Sequence, residues 1–305
     1  MAEADVPLRR RERRGLFDQA YLLLSLTSLF WAGNTIVARY VVGHVPPITL
    51  SCVRWGGAFL ILLPLAALPL ARDWPVIRKR AGMLVLLAVT GFSIYNVIAY
   101  YALQYTTAIN GLLLQSAAPL YVALLSFALF GERLKLRQAG GICLSLAGVL
   151  TIVCHGSLAV LSGIGLNRGD VLLLAAIVMY AFYSVVFRKR PPIHPLSLLA
   201  ACMGLGALLL APAMVWELAS GAPFILDRVS VASMVFVCVF PSLLGGLLFN
   251  RGVELIGANR AAPFIHLVPV FGSVMAVAFL GERFELYHAI GYALVLAGIT
   301  VATRK

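Results

Sequence analysis

The sequence predicts an all-α polytopic membrane protein of ten transmembrane helices, laid out as two inverted five-helix repeats. Three observations carry this. First, of 305 residues 61% are hydrophobic and 12% charged, whereas a soluble domain carries about 25% charged residues, and the apolar runs are roughly the twenty residues that cross a bilayer. Second, the stretch 131–148 returns at 281–298 with ten of eighteen positions identical, Gly131-Glu132-Arg133 and Leu146-Ala147-Gly148 among them, and Pro119 returns as Pro269 at the same offset of 150. A duplication of about half the chain explains this better than chance likeness between apolar helices. Third, the basic residues segregate along the chain.

Residues 1–18 form a polar tail with the run Arg9-Arg10-Arg11-Glu12-Arg13-Arg14. The apolar stretch after it exceeds a signal-peptide core and no small-residue cleavage site follows, so it is expected to remain as the first membrane helix. Helices are then expected near 19–42, 47–70, 81–103, 107–130 and 136–154, which make the first repeat (19–154). A connection over 155–169 follows. The second repeat (170–305) holds helices near 170–187, 195–216, 231–250, 259–280 and 286–303. With the N-terminus inside, cytoplasmic segments hold nineteen of the 24 Lys and Arg, and outer segments hold Arg168, Arg228 and Arg283; Arg39 and Arg54 lie within helices. The positive-inside rule therefore puts both termini in the cytoplasm. Five helices per repeat is an odd number, so the second copy enters from the other side. The first Gly-Glu-Arg turn is followed by Lys135 and Arg137, the second by Glu285 and Tyr287. Positive charge is missing where the turn faces outward.

The net charge of +12 reflects this topology, not nucleic acid, because the basic residues are not interleaved with aromatics on a soluble face. Cys52, Cys143, Cys154, Cys202 and Cys238 are scattered singly, which suits neither a disulfide framework nor a metal site. No cofactor is expected. The chain has no His-Glu-x-x-His, no P-loop and no pair of membrane aspartates, which argues against an intramembrane enzyme. It has no soluble sensing domain to suit a receptor or scaffold. An internal repeat in a membrane protein points instead to a transporter.

The run Ala102-Leu103-Gln104-Tyr105-Thr106-Thr107-Ala108, the helix with Pro119, then Gly131-Glu132-Arg133 and a helix with Gly141 and Ala147-Gly148 resemble the EamA-type repeat of the drug/metabolite transporter superfamily. Two such repeats cover nearly the whole chain. The second departs from the pattern at Gly252, Val253, Leu255 and Ile256. The resemblance implies a monomeric inner-membrane exporter of small metabolites working by alternating access. Overall the chain also looks similar to the bacterial aromatic amino-acid exporter branch.

Polar residues in mid-helix mark the expected substrate cavity. Ser93, Asn96, Tyr100 and Gln104 share one side of the third helix, and Gly111, Gln115, Pro119 and Val122 one side of the fourth. Trp31 and Asn34 in the first helix have Tyr180 and Tyr183 as repeat mates; Asn250 is the mate of Tyr100, and His266 of Ser116. Trp31, Tyr95, Tyr100, Tyr180 and Tyr183 offer surfaces for a ring or apolar side chain. Asn34, Asn96, Gln115 and Asn250 offer partners for a polar end; the alternative is glue between helices. Pro119 and Pro269 free the carbonyls of Gln115 and Ile265 and are expected to act as hinges lining the site, against the alternative of packing kinks. Two readings of Arg54 stand: snorkelling or pairing with a backbone carbonyl, and bidentate binding of a carboxylate. His266 has a packing reading as well as a polar one. The Gly-Glu-Arg turns read as structural, with glycine at a helix end, an acid near the next helix start and an arginine at head-group level. Trp74 and Trp216 read as an interfacial belt. No Asp or Glu falls in the middle third of an expected helix, so facilitated transport or exchange of a neutral or zwitterionic solute without an obligatory proton is expected, the alternative being proton-coupled efflux of a drug or other metabolite.

Overall fold

The computed structural model describes residues 16–131, 136–157 and 167–303. The run Arg9–Arg14, Glu132, Arg133 and most of the 155–169 connection lie outside the described residues. The helices are α1 (Ala20–Tyr40), α2 (Pro47–Lys79), α3 (Ala81–Ala102), α4 (Ala108–Gln115 and Ala118–Phe130), α5 (Leu136–Val153), α6 (Arg168–Val186), α7 (Pro195–Ala219), α8 (Arg228–Ile256), α9 (Ala258–Ala261, a 3₁₀ turn Ala262–His266, then Leu267–Leu280) and α10 (Leu286–Thr303). Eight are long and apolar enough to cross a membrane by themselves; the bent pair in α4 makes a ninth. The last, α10, lies along α5.

Helix ends differ from the sequence expectation in two places. α2 was expected to end near 70 and runs to Lys79 through Pro64, Pro69 and Pro75. Each proline deletes one backbone bond, and leaving the helix in an apolar setting would expose many more. α8 is extended at both ends, to 228 and 256; at its start Asp227 caps it by accepting the Ser230 N–H, and Gly257, with φ 83°, follows its end. Gly131 and Gly281 end α4 and α9 in the left-handed conformation, φ 65° and 66°, where a Cβ would be strained.

The pseudo-two-fold axis passes between α5 and α10. Ser145 donates to the carbonyl of its own repeat mate, Val295 (3.2 Å). On either side Gly141 faces Gly298 and Gly148 faces Gly291, so closely that a Cβ on Gly148 would sit 2.5 Å from the Gly291 carbonyl oxygen. Small residues bring these backbones together, the usual way apolar helices associate without a hydrophobic driving force. α2 and α7 form the second long contact. At its two ends they cap each other: Ile48 and Thr49 donate their N–H groups to Glu217, and His194 donates its N–H to Asp73. The first helix of each repeat packs on the other repeat: α1 against α8 and α9, α6 against α3 and α4. That exchange of partners puts α1, α3, α6 and α8 at the centre.

The end of the bundle with Arg80, Lys189, Arg190 and Arg251 is called the basic end below. The opposite end carries Gly43, the α3–α4 turn, His155, Asp227 and the Gly281 turn.

Candidate functional site

α3 and α8 each contain one π-helical turn, Ala88–Ile94 and Cys238–Leu244, 150 residues apart. Such turns widen the helix and leave carbonyls without a regular partner, and they are frequent at functional sites. Pro241 lies inside the second. Side chains take up the freed oxygens: Asn96 Nδ2 donates to the Gly91 and Phe92 carbonyls (3.2 and 3.1 Å), Ser242 Oγ to Val237 (2.7 Å), and Trp31 Nε1 to Pro241 (3.2 Å).

Arg54 of α2 joins the two turns. It is 7% exposed. Its Nε donates to Ser242 Oγ (2.7 Å), and Nη1 donates to Asn96 Oδ1 and to Tyr100 Oη (both 2.8 Å). Tyr100 passes its own proton to Asn34 Oδ1 (2.7 Å). The guanidinium also lies 4.3 Å from the centre of the Trp55 ring, where the ring quadrupole attracts a cation. Every partner is neutral. Among the described residues no carboxylate comes within ion-pair distance of Arg54, and no bond goes to its Nη2. Burying a cation without its counter-ion costs several kcal/mol even after relaxation, so neutral acceptors offset only part of the desolvation.

Aromatic rings run outward from this cation: Trp55 to Phe92 (4.7 Å), Phe92 to Tyr183 (6.1 Å), Tyr183 to Tyr180 (6.0 Å) and Tyr180 to Tyr95 (5.2 Å). Gly91 makes room for the Tyr183 ring. Trp31 stands apart, against Phe249 at 5.3 Å, and the absence of a Cβ at Gly245 admits its indole.

The structure brings Asn34, Asn96 and Tyr100 to Arg54, and Tyr95, Tyr180 and Tyr183 into the ring run. The others lie separately. Gln115 is half-buried at the break in α4, where the two segments bend by 43°. Pro119, in the first turn after that break, is exposed, whereas Pro269 is buried in the first turn after the 3₁₀ segment of α9. Near Pro269 two carbonyls are already taken, Phe264 by Ser28 Oγ (2.7 Å) and His266 by Tyr292 Oη (2.8 Å). The His266 ring is half-buried, and its Nδ1 has no partner among the described residues. Asn250 is exposed towards the basic end. The candidate residues of the sequence omit Trp55, Phe92 and Ser242. Trp55 adjoins Arg54 in the chain, but nothing local marks Ser242, which acts only through the π turn.

Repeat mates show which end is open. Tyr100, Asn110, Leu113 and Asp170 are buried at the opposite end; their mates Asn250, Arg260, Pro263 and Tyr21 are exposed at the basic end. Inversion exchanges the two ends and keeps the lipid-facing sides in correspondence, so the difference within each pair reports a difference between the ends. The opposite end is packed shut. Tyr180, in the basic half of α6, is 39% exposed although its ring meets Tyr95 across the centre.

Inverted repeats around a polar, ring-lined centre define the architecture of a secondary transporter. The sequence pattern of the EamA-like transporter family matches residues 18–154 and again 167–304. The chain belongs to that family. It is 28% identical over 93% of both chains to the Bacillus subtilis (strain 168) "Uncharacterized transporter YyaM". It is 28% identical to a "Probable terminal-alkyne amino-acid exporter" of Streptantibioticus cattleyicolor, over 94% of both chains. It is 25% identical to a "Probable amino-acid metabolite efflux pump" of Salmonella typhimurium, over 92% of this chain and 93% of the other. A solved crystal structure with 20% identity shares the fold, with a TM-score of 0.62 over 93% of this chain and 97% of that one.

Proposed function

We propose that this transporter exports amino acids or closely similar metabolites by alternating access. The substrate carboxylate is read by Arg54 and the side chain lies on the rings that run from Trp55 to Tyr95, with Trp31 across the centre from them. The carrying observation is the buried Arg54 cation, held only by neutral acceptors beside a run of aromatic rings. A zwitterion supplies the missing counter-charge, and a carboxylate suits a guanidinium bidentately. The names of two relatives, an amino-acid exporter and a metabolite efflux pump, support the same class. With the basic end in the cytoplasm of a bacterial inner membrane, as the charge bias suggests, the open end accepts solute from inside. A bend before Pro119 and the 3₁₀ segment before Pro269 are the hinges in this reading.

The test is flux of labelled neutral amino acids from proteoliposomes of the full chain. Flux of an amino acid but not of its decarboxylated amine is expected, and Arg54→Gln should lower it at least tenfold, the loss expected for a charge-assisted hydrogen bond of about 1.5–3 kcal/mol. Asn96→Ala should cost roughly two- to tenfold, as for a neutral bond. Equal transport of acid and amine, with Arg54→Lys and Arg54→Gln alike, would refute the carboxylate reading.

A further inference from the structure

The centre of the bundle lacks acids, but its closed end does not. Asp170, third residue of α6, is 0% exposed. Thr106 and Asn110 both aim donors at it, and Thr106 Oγ1 itself accepts from Asn110 Nδ2 (3.3 Å). Thr106 Oγ1 donates to Asp170 Oδ1 (2.5 Å), and Asn110 Nδ2 lies 3.2 Å from both carboxylate oxygens. His155 Nε2 is 3.8 Å from Oδ2, and its side chain is 40% exposed. Behind Asn110 stands His288, 2% exposed. Its Nδ1 accepts the Glu285 N–H (2.9 Å), so its proton sits on Nε2 and is donated to Asn110 Oδ1 (3.0 Å). That bond fixes the Asn110 amide with its NH₂ towards Asp170. The cluster joins the α3–α4 turn, α4, the end of α5, α6 and α10, and so ties the two repeats together. Other ionisable groups face it from these elements: Tyr287 packs on His155 and His288, Glu285 flanks α10, and Arg39 and Glu282 meet one turn away at the start of α4.

We propose that Asp170 is a proton-binding site whose occupancy releases the closed end of the transporter. Ionised, Asp170 accepts every donor aimed at it and latches α6 to α4. A proton from the water at that end, arriving past the exposed edge of His155, turns one carboxylate oxygen from acceptor into donor, so that the Asn110 NH₂, 3.2 Å from both oxygens, faces a donor where it had an acceptor. The latch is then weakened. The fold does not demand an acid there: the mate of Asp170 in α1 is Tyr21, and the mates of Thr106 and Asn110 are Ile256 and Arg260. The Asp170 cluster therefore belongs to one end of the molecule alone, and the gate at that end responds to the pH of the water it faces. Asp170 lies at a helix start, and tertiary packing alone buries it.

The experiment needs no substrate and stands apart from the carboxylate reading. Spin labels at Tyr105→Cys and Leu286→Cys, both exposed positions flanking the cluster, are placed in the full chain in nanodiscs with the native cysteines replaced. One short distance is expected at pH 8, with a second, longer population growing towards pH 5. Asp170→Asn, which cannot ionise, should show the longer population at both pH values. Thr106→Val removes a donor to the ionised carboxylate and should move the midpoint up by about one pH unit. Identical distance distributions at pH 8 and pH 5 in the unaltered latch would overturn the proposal. So would a wild-type response in Asp170→Asn or, if that variant fails to fold, an unmoved midpoint in Thr106→Val.

Discussion

The two ends of this bundle come from the same duplicated sequence, yet one is shut and the other open. At the shut end Ala108–Leu114 of α4 are all buried, and Glu282, in the turn between α9 and α10, accepts the N–H groups of Ala108 and Ile109 (2.7 and 3.0 Å). Arg39 adds a bond to the Leu103 carbonyl (2.7 Å), and Asn167 reaches Tyr105 (2.8 Å). At the basic end the corresponding stretch of α9 is interrupted by a 3₁₀ turn, and Arg260, Pro263 and Ile265 are exposed. One duplicated segment is thus packed in the first repeat and exposed in the second.

The largest effect is expected where the halves are equal. Gly148→Val and Gly298→Val both place a side chain against backbone on the axis. Overpacking of this kind typically costs about 1–3 kcal/mol, and more where backbone must move. Both should lower the yield of folded protein in detergent, and to the same degree. A large inequality between them would show that the two repeats do not share the axis contact.

A smaller effect should separate the ends. Asn110→Ala removes bonds to Asp170 and His288 and should cost about 1–3 kcal/mol, the penalty for leaving buried partners unsatisfied. Arg260→Ala, its exposed mate, should change the thermal midpoint within about 0.5 kcal/mol. Equal shifts in a thermal melt would contradict the closed-versus-open reading.

Trp31 and Tyr180 are mates in the middle of the bundle, so the comparison there turns on substrate. Trp31→Ala should slow ring-bearing amino acids relative to alanine in the flux assay. Tyr180→Ala should do the same more weakly, because its ring already packs at a tilt between Tyr95 and Tyr183. A loss that is uniform across substrates would move the side-chain surface elsewhere.

The smallest effect concerns Asp227, which lies outside the membrane helices at the shut end. The backbone N–H of Ser230 holds its carboxyl below the usual value of 3.8. Its contribution is present above the unfolded value and lost only as pH falls through the lower folded one. Hydrogen exchange at the start of α8 should therefore be protected alike at pH 7 and pH 5, after correction for intrinsic rates. Fraying there at pH 5 would mean that acid loosens the whole end and not the Asp170 latch alone.

Glu282 shows how a sequence reading is redirected by packing. The Gly-Glu-Arg turn suggests an acid placed for its own following helix, and the glycine does end α9 as its φ requires. The carboxylate, however, caps α4 of the other repeat. Arg54 was visible as a charge deep in an apolar segment, but its neutral partners come from α3 and α8. The paired π turns left no sequence mark beyond Pro241, because a five-residue bonding pattern needs no special composition.

By itself the sequence determined the helical membrane architecture, the duplication, the inversion and the family. Apolar length, repeated motifs and charge bias are local or periodic properties, and a bilayer leaves few other ways to satisfy the backbone. It also named most of the polar and aromatic side chains that meet at the centre. Only the tertiary structure decided which of them touch Arg54, which end is shut, and that Asp170 is buried among donors. Those facts depend on contacts between residues 42 to 188 positions apart, and on two halves of like sequence packing unequally, which no pattern along the chain can encode.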